Sequence, residues 1–241
     1  MGRPLAIRPA KERKRKLPEC TLRSARVQGV LKRLYENAKI VDPPALARTN
    51  PVTDALHGDE KFRVRSEMLK DAALPVPPEV GQLLYMVART SGCKTAVEFG
   101  TALATSTIFL ASAVRDNGGG KVITTELHPE KARQAGENLR EAGLLDLVEI
   151  RTGDARETLR EIDGAVDFVF LDGWKELYLP VLRTVEPRMR AGAVIVADNL
   201  SLASAELKPF VEYVREEANG FLSMRLPLGD QLEFSLWLGN R

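Results

Sequence analysis

From Thr95 onward the chain alternates short apolar runs with helix-patterned ones, and no other feature limits its fold as much. TAVEF (95–99), KVITTE (121–126), LVEI (147–150), VDFVFLD (166–172) and AVIVAD (193–198) read as strands. Helical patterning fills 106–114, 129–142, about 176–190 and 207–218. Gly118-Gly119-Gly120 marks a turn, and Gly143 a helix stop. Repeated strand–helix units call for a mostly parallel, doubly wound α/β sheet with helices on both faces. The last stretch, FLSMRLPLGDQLEFSLWL, carries a turn at Leu228-Gly229-Asp230. Two closing strands are therefore expected to pair antiparallel, as a C-terminal hairpin.

The 241 residues, 44% of them hydrophobic, suffice for one sizeable core. No apolar run approaches the ~20 residues that span a bilayer, so no membrane partner is expected. Cys20 and Cys93 form neither a metal-ligand spacing nor a disulfide framework, which fits a cytoplasmic protein. Charge is uneven. Residues 1–33 hold 11 Lys/Arg against Glu12 and Glu19, whereas the remainder is acidic. The KERKRK run (11–16) could contact nucleic acid or anionic lipid, but the preferred reading is a solvated tail or an arm packed on another subunit. No apolar stretch follows it, so a secretory signal is not expected.

Residues 1–20 thus read as a basic, disordered arm, 21–74 as a helical N-terminal extension or cap, and 75–241 as the main domain. Val27, Val30, Leu31 and Leu34 predict a helix over 23–38. Asp42-Pro43-Pro44 and Asn50-Pro51 are expected to break the following stretch into short helices. Pro75, Pro77 and Pro78 lead into a helix with Val80, Leu83, Leu84 and Val87 on one face.

In sheets of this kind ligands bind beyond the carboxyl ends of the strands, where the winding reverses. The first strand–helix turn runs from Glu98 through Gly100, Thr101, Ala102 and Ala104 to Ser106. It has one glycine where a pyrophosphate cradle has three, which disfavours a dinucleotide. Glu98 beside Gly100 suits the ammonium group of a ligand. Glu126, ending the second strand, can accept hydrogen bonds from both hydroxyls of a ribose. Asp154, in Gly153-Asp154-Ala155, follows the third strand, where it can meet an adenine amino group. Any one of these acids reads as well as a surface carboxylate. Three of them, at consecutive strands, describe an adenosine-bearing ligand with an amino-acid tail and no phosphates: S-adenosylmethionine.

Two further stretches, FLDGWKELYLP (170–180) and VIVADNL (194–200), each close a strand. The ends of neighbouring parallel strands lie side by side, so Asp172, Asp198, Asn199 and Lys175 converge. Three oxygen ligands suit a hard divalent cation such as Mg²⁺, and the amine suits a general base. A phenol-like hydroxyl of pKa about 10 costs ~4 kcal/mol to ionise near pH 7, which a bound cation offsets. Two adjacent hydroxyls would chelate it. A lysine that is partly buried beside a cation holds its proton less firmly than one in water. The competing reading is a surface Lys175 bridged to Glu176. Trp174 offers its face to a sulfonium, or simply packs. His57 and His128 have no ligand spacing, and Ser201 and Ser204 lack a nucleophile elbow, so neither histidine catalysis nor hydrolysis is expected.

VEFG (97–100), TTEL (124–127), GDA (153–155), LDGWKELYLP (171–180) and ADN (197–199) follow the order and spacing of the class I S-adenosylmethionine-dependent methyltransferases. DGWKELYLP is similar to the form found in catechol O-methyltransferases. From about Pro77 onward, some two thirds of the chain, the sequence resembles the catechol and caffeoyl-CoA O-methyltransferase group. The resemblance implies a Rossmann-like, seven-stranded fold that uses S-adenosylmethionine and Mg²⁺ or another divalent cation. It puts Glu98, Gly100 and Ser106 near the methionine moiety, Glu126 at the ribose, and Asp154 and Ala155 at the adenine, with Thr101 also binding the cofactor. It makes Asp172, Asp198 and Asn199 the metal ligands and Lys175 the base, with Trp174 walling the pocket. The implied acceptor is a small molecule with vicinal hydroxyls, and the implied assembly a homodimer.

The chain departs from that pattern at Ala102 and Ala104, where relatives usually have at least one glycine; alanine resists positive φ. The carboxylate that meets the second hydroxyl in animal catechol enzymes has no clear counterpart, and Ser223-Met224-Arg225 falls near its place. Two rival readings stand beside the first. One is methylation of RNA or protein, with the basic arm as the docking element. The other is a non-catalytic adenosyl-ligand-binding homologue.

Overall fold

Burial explains the strand order. A computed structural model describes residues 20–201 and 204–239. The seven strands are β1 (Thr95–Phe99), β2 (Lys121–Glu126), β3 (Val148–Thr152), β4 (Val166–Leu171), β5 (Met189–Ala197), β6 (Phe221–Leu226) and β7 (Leu232–Trp237). They form one sheet in the order β3-β2-β1-β4-β5-β7-β6. β1 to β5 pair in parallel; β7 runs antiparallel to both β5 and β6. β4 is buried along its whole length, as a central parallel strand covered on both faces must be. Its side chains alternate between two cores. Phe168 and Phe170 join one, with Leu84, Ile108 and Leu139. Val169 and Leu171 join the other, with Leu182, Ile195 and Phe210. The winding reverses between β1 and β4, so a crevice opens at their carboxyl ends.

The helices are α1 (Ala25–Thr53), α2 (Gly58–Met68), α3 (Pro78–Thr90), α4 (Thr105–Asp116), α5 (Pro129–Ala142), α6 (Ala155–Thr158), α7 (Tyr178–Val185) and α8 (Ser204–Arg215). β1, β2 and α5 have the bounds expected from the sequence, and Gly143 closes α5 at φ 73°. The helix expected over about 176–190 is shorter. Pro187 has no N–H to continue it, so α7 gives way to a tight turn at Glu186–Arg188 and β5 begins already at Met189.

The expected breaks at Asp42-Pro43-Pro44 and Asn50-Pro51 do not occur. α1 runs unbroken through all three prolines. An interior proline costs a helix about 3 kcal/mol, so something must offset it. The buried stripe of Val27, Leu31, Leu34 and Ala38 continues in step through Ala45, Thr49 and Thr53. Pro43, Pro44 and Pro51 all face solvent, as do residues 39, 40 and 47, whose carbonyls the prolines, lacking an N–H, cannot serve. Asp42 also accepts the backbone N–H of Ala73 (2.6 Å) and Leu74 (3.0 Å), which fastens the helix to the chain entering α3. The first half of α1 packs into the same core as α3, α4 and α5. The basic arm expected over 1–20 lies, Cys20 apart, outside the described residues. Among the described residues no helix is long and apolar enough to cross a membrane.

Candidate active site

The turn leaving β1 is pressed against the turn leaving β4. Asp172 donates its N–H to the Phe99 carbonyl at 2.9 Å. Gly100 has φ 106°, and a Cβ there would fall 2.7 Å from the Asp172 carbonyl oxygen, so only glycine fits. Ala102 and Ala104 do adopt positive φ, 46° and 71°, despite the resistance expected of alanine. That conformation costs roughly 1–2 kcal/mol per residue, and the surroundings hold it. The Ala102 N–H donates to Glu126 Oε2 at 2.9 Å, the Ala104 N–H to the Thr101 carbonyl at 2.8 Å, and the Ala104 methyl is fully buried. Glu126 takes a second backbone N–H, from His128, at 3.0 Å. Its carboxylate is thereby aimed before any ligand arrives.

Glu98 is completely buried within β1. Thr124 donates to its Oε2 at 2.6 Å, as does Thr107, while Oε1 has no partner. Burial raises its pKa to about 7, against the lowering effect of the hydroxyls. A carboxyl raised in the folded state stabilises the fold fully below its unfolded value, about 4.5, and loses that contribution as pH climbs towards 7. Chemical denaturation at pH 5 and pH 7 is therefore expected to show the wild type losing stability relative to Glu98→Gln, by up to ~1.4 kcal/mol per pH unit. A difference that does not move with pH would contradict this.

A cleft opens where the two turns meet β2 and β3. Gly100, Glu126, Asp154, Ala155 and Trp174 all line it. Glu98, Thr101 and Ser106 are buried and do not line it. Asp154 caps α6 by accepting the Arg156 N–H, and its carboxylate is paired with the Arg156 guanidinium at 2.6 Å, which lowers its pKa. Phe62 of α2 also lines the cleft, and its ring meets Trp174 edge-on at 6.0 Å. Sequence reasoning missed Phe62; the one hint is an aromatic residue set in the otherwise polar run GDEKFRVRSEM. Around it, α2 and the chain just after it are tied down by His128 Nε2 at the Ser66 carbonyl (3.0 Å), Lys131 Nζ at the Leu69 carbonyl (3.0 Å) and a Lys61–Glu206 ion pair (2.6 Å).

Beside this cleft, β4 and β5 end together. The Asp198 N–H donates to the Leu171 carbonyl at 3.0 Å, so Asp172 and Asp198 leave adjacent strands at the same level. Lys175 Nζ donates to Asp172 Oδ1 (3.3 Å) and to Tyr178 Oη (2.7 Å). The buried Tyr178 hydroxyl in turn donates a hydrogen bond to the Asp198 carbonyl at 3.2 Å. Asn199, at φ 66°, folds its N–H back onto Asp198 Oδ1 at 2.6 Å. Burial raises the pKa of both acids, and each is pushed further by neighbouring carboxylates, while Lys175 opposes the rise; Asp198 reaches about 7. Among the described residues no group of three or more His, Cys, Asp or Glu side chains is gathered as for a metal. The set here is two carboxylates and an amide. These are hard oxygen donors, and the two acids disfavour each other's ionisation, which a cation would relieve, so they fit a divalent ion.

Similarity to known proteins agrees with this geometry. The sequence pattern of a family described as a methyltransferase domain matches residues 97–200. The catechol O-methyltransferase of Niastella koreensis is 33% identical over 157 residues, which cover 62% of this chain and 70% of that protein. That of Mycobacterium tuberculosis is 34% identical over 150 residues, covering 60% and 67%. Among solved structures, the O-methyltransferase TomG from Streptomyces achromogenes, in complex with S-adenosylmethionine, has a TM-score of 0.65 at 25% identity over 80% of this chain and 96% of its own. With the reversal of winding, the cleft and the acids at the strand ends in hand, the chain belongs to the class I S-adenosylmethionine-dependent O-methyltransferases, in the catechol O-methyltransferase-like family.

Proposed function

We propose that this enzyme methylates one hydroxyl of a catechol-like small molecule, with a divalent cation such as Mg²⁺ held by Asp172, Asp198 and Asn199 and with Lys175 as the base. The observation that carries the reading is the chain of contacts from Asp172 through Lys175 and Tyr178 to Asp198, beside a cleft lined by Glu126 and Asp154. Two of the most similar relatives are catechol O-methyltransferases by name, which supports the acceptor class.

The donor supplies a methyl group on a cationic sulfur that leaves as a neutral thioether. The cation, when bound, supplies Lewis acidity that lets an acceptor hydroxyl ionise near neutral pH. The protein supplies the rest. Glu126 receives the ribose hydroxyls, and Phe62 and Trp174 border the donor. Both strand-end turns hold the acceptor in line with the methyl group, an alignment worth up to ~7–11 kcal/mol in favourable cases. An ammonium has three N–H bonds, and Lys175 spends two on Asp172 and Tyr178. The neutral amine keeps both and turns its lone pair along the third direction. Lys175 Nζ can thus take the hydroxyl proton without breaking either contact.

Incubation with methyl-labelled donor, a panel of catechols and flavonoids, simple monophenols and RNA tests this reading. Label is expected in the vicinal diols and at least tenfold less in monophenols, which cannot chelate. Label appearing chiefly in RNA, or donor binding without turnover on any diol, would overturn it.

A further inference from the structure

In the sequence, Leu228-Gly229-Asp230 reads only as the turn between two closing strands. In the structure that turn lies against the chain leaving β5. The Leu200 N–H donates to the Gln231 carbonyl at 3.0 Å. Ser201 gives both its N–H (3.0 Å) and its hydroxyl (2.8 Å) to the Asp230 carbonyl. These bonds use the main chain of Asp230 and Gln231, and the Asp230 carboxylate turns to the Asn199 amide: Asn199 Nδ2 donates to Asp230 Oδ2 at 3.4 Å.

That contact has a chemical consequence. A primary amide offers a donor nitrogen on one side and an acceptor oxygen on the other, and rotation about its last bond exchanges them. A hard cation takes the oxygen alone. The Asn199 main chain is already fixed by its positive φ and its bond to Asp198, so the remaining freedom is which end of the amide faces the strand ends. We propose that Asp230 is a positioning residue: by accepting the Asn199 amide N–H it commits the amide oxygen to the divalent cation shared with Asp172 and Asp198. This rests on the metal reading above. Supporting groups behind a metal ligand commonly change affinity by 10–100-fold when removed.

The test is a double-mutant cycle read by Mn²⁺ binding, with free Mn²⁺ followed by electron paramagnetic resonance and no turnover involved. The full chain is compared as wild type, Asp230→Ala, Asn199→Ala and the double variant, with Asp230→Asn as a fifth protein. Asp230→Ala is expected to weaken Mn²⁺ binding about tenfold. In the Asn199→Ala background the same change is expected to do nothing beyond roughly twofold, because the amide through which Asp230 acts is gone. Asp230→Asn keeps an acceptor oxygen and should stay within about threefold of wild type. Losses that multiply in the double variant would make Asp230 an independent contributor and overturn the proposal. So would an Asp230→Asn loss as large as that of alanine, or no loss in Asp230→Ala. Failure of the wild type to bind Mn²⁺ would remove the metal reading itself, a separate result. The main-chain bonds of the turn survive all the Asp230 variants, and matching thermal melts verify that they fold.

Discussion

Excess EDTA is expected to slow methyl transfer to a vicinal diol by about a thousandfold, with Mg²⁺ restoring the rate. The size comes from the acceptor. Ionising a hydroxyl of pKa about 10 near pH 7 costs ~4 kcal/mol, and that energy is about 10³ in rate. Asp198→Asn is expected to reproduce the loss without chelator. Asp198 is 1% exposed, and burial together with the neighbouring Asp172 drives its pKa to about 7, so a bare pair is poorly accommodated. Binding of a cation should therefore also appear in stability. At a hundred times its dissociation constant it contributes about 2.7 kcal/mol, or roughly 5 °C or more in Tm for a chain of this size. Asp198→Asn should gain almost none of that. Full activity in EDTA, with metal content verified as far below one ion per chain, would take the cation out of the mechanism.

Lys175→Ala is expected to lower kcat by about 10²–10³-fold with little change in KM, the range typical of losing a general base. The deficit should shrink as pH rises towards 10, because the acceptor then ionises without help. A merely structural lysine would not show that pH dependence. Tyr178→Phe tests the same proton from the other side. It removes one of the two acceptors that aim Nζ, and loss of a hydrogen bond to a charged group costs roughly tenfold or more. A Lys175→Ala enzyme with a parallel, pH-independent deficit would mean that Lys175 orients Asp172 and nothing more.

Most of the sheet was legible because its signals are local. The apolar run of Val166–Leu171 needs no knowledge of its neighbours to read as a buried strand, and Pro129 with Gly143 brackets α5 within a few residues of chain. The acids Glu126, Asp154, Asp172 and Asp198 were legible for a related reason: in a parallel sheet, position at a strand end is position at the ligand crevice. The place of Glu98 next to Gly100 is legible in the sequence, but its depth is not. Whether a residue near a strand end lines a cleft or lies under it depends on which face it takes, and here Thr107 and Thr124 enclose it.

The alanines of the first turn and the prolines of α1 mark the opposite case. Propensity says that Ala102 and Ala104 avoid positive φ and that Pro43-Pro44 ends a helix. Both preferences are worth only a few kcal/mol, and packing can outweigh them once a buried stripe or a charged acceptor lies in the right place. Propensity is visible in sequence; the packing that overrides it is not.

The order of residues along the chain by itself determined the alternation of strands and helices, the crevice that follows from it, and the chemical types waiting there: acids, an amide and an amine. Those depend on periodicity and on which residue follows a strand. Only the tertiary structure decided that Phe62 of α2 closes the cleft against Trp174, that Tyr178 aims Lys175 while holding Asp198, and that a hairpin turn brings Asp230 to Asn199. Most of these contacts join residues remote in the chain, and even Tyr178, near Lys175, reaches across to β5. Their existence depends on how elements pack, and that is a property of the whole fold rather than of any segment.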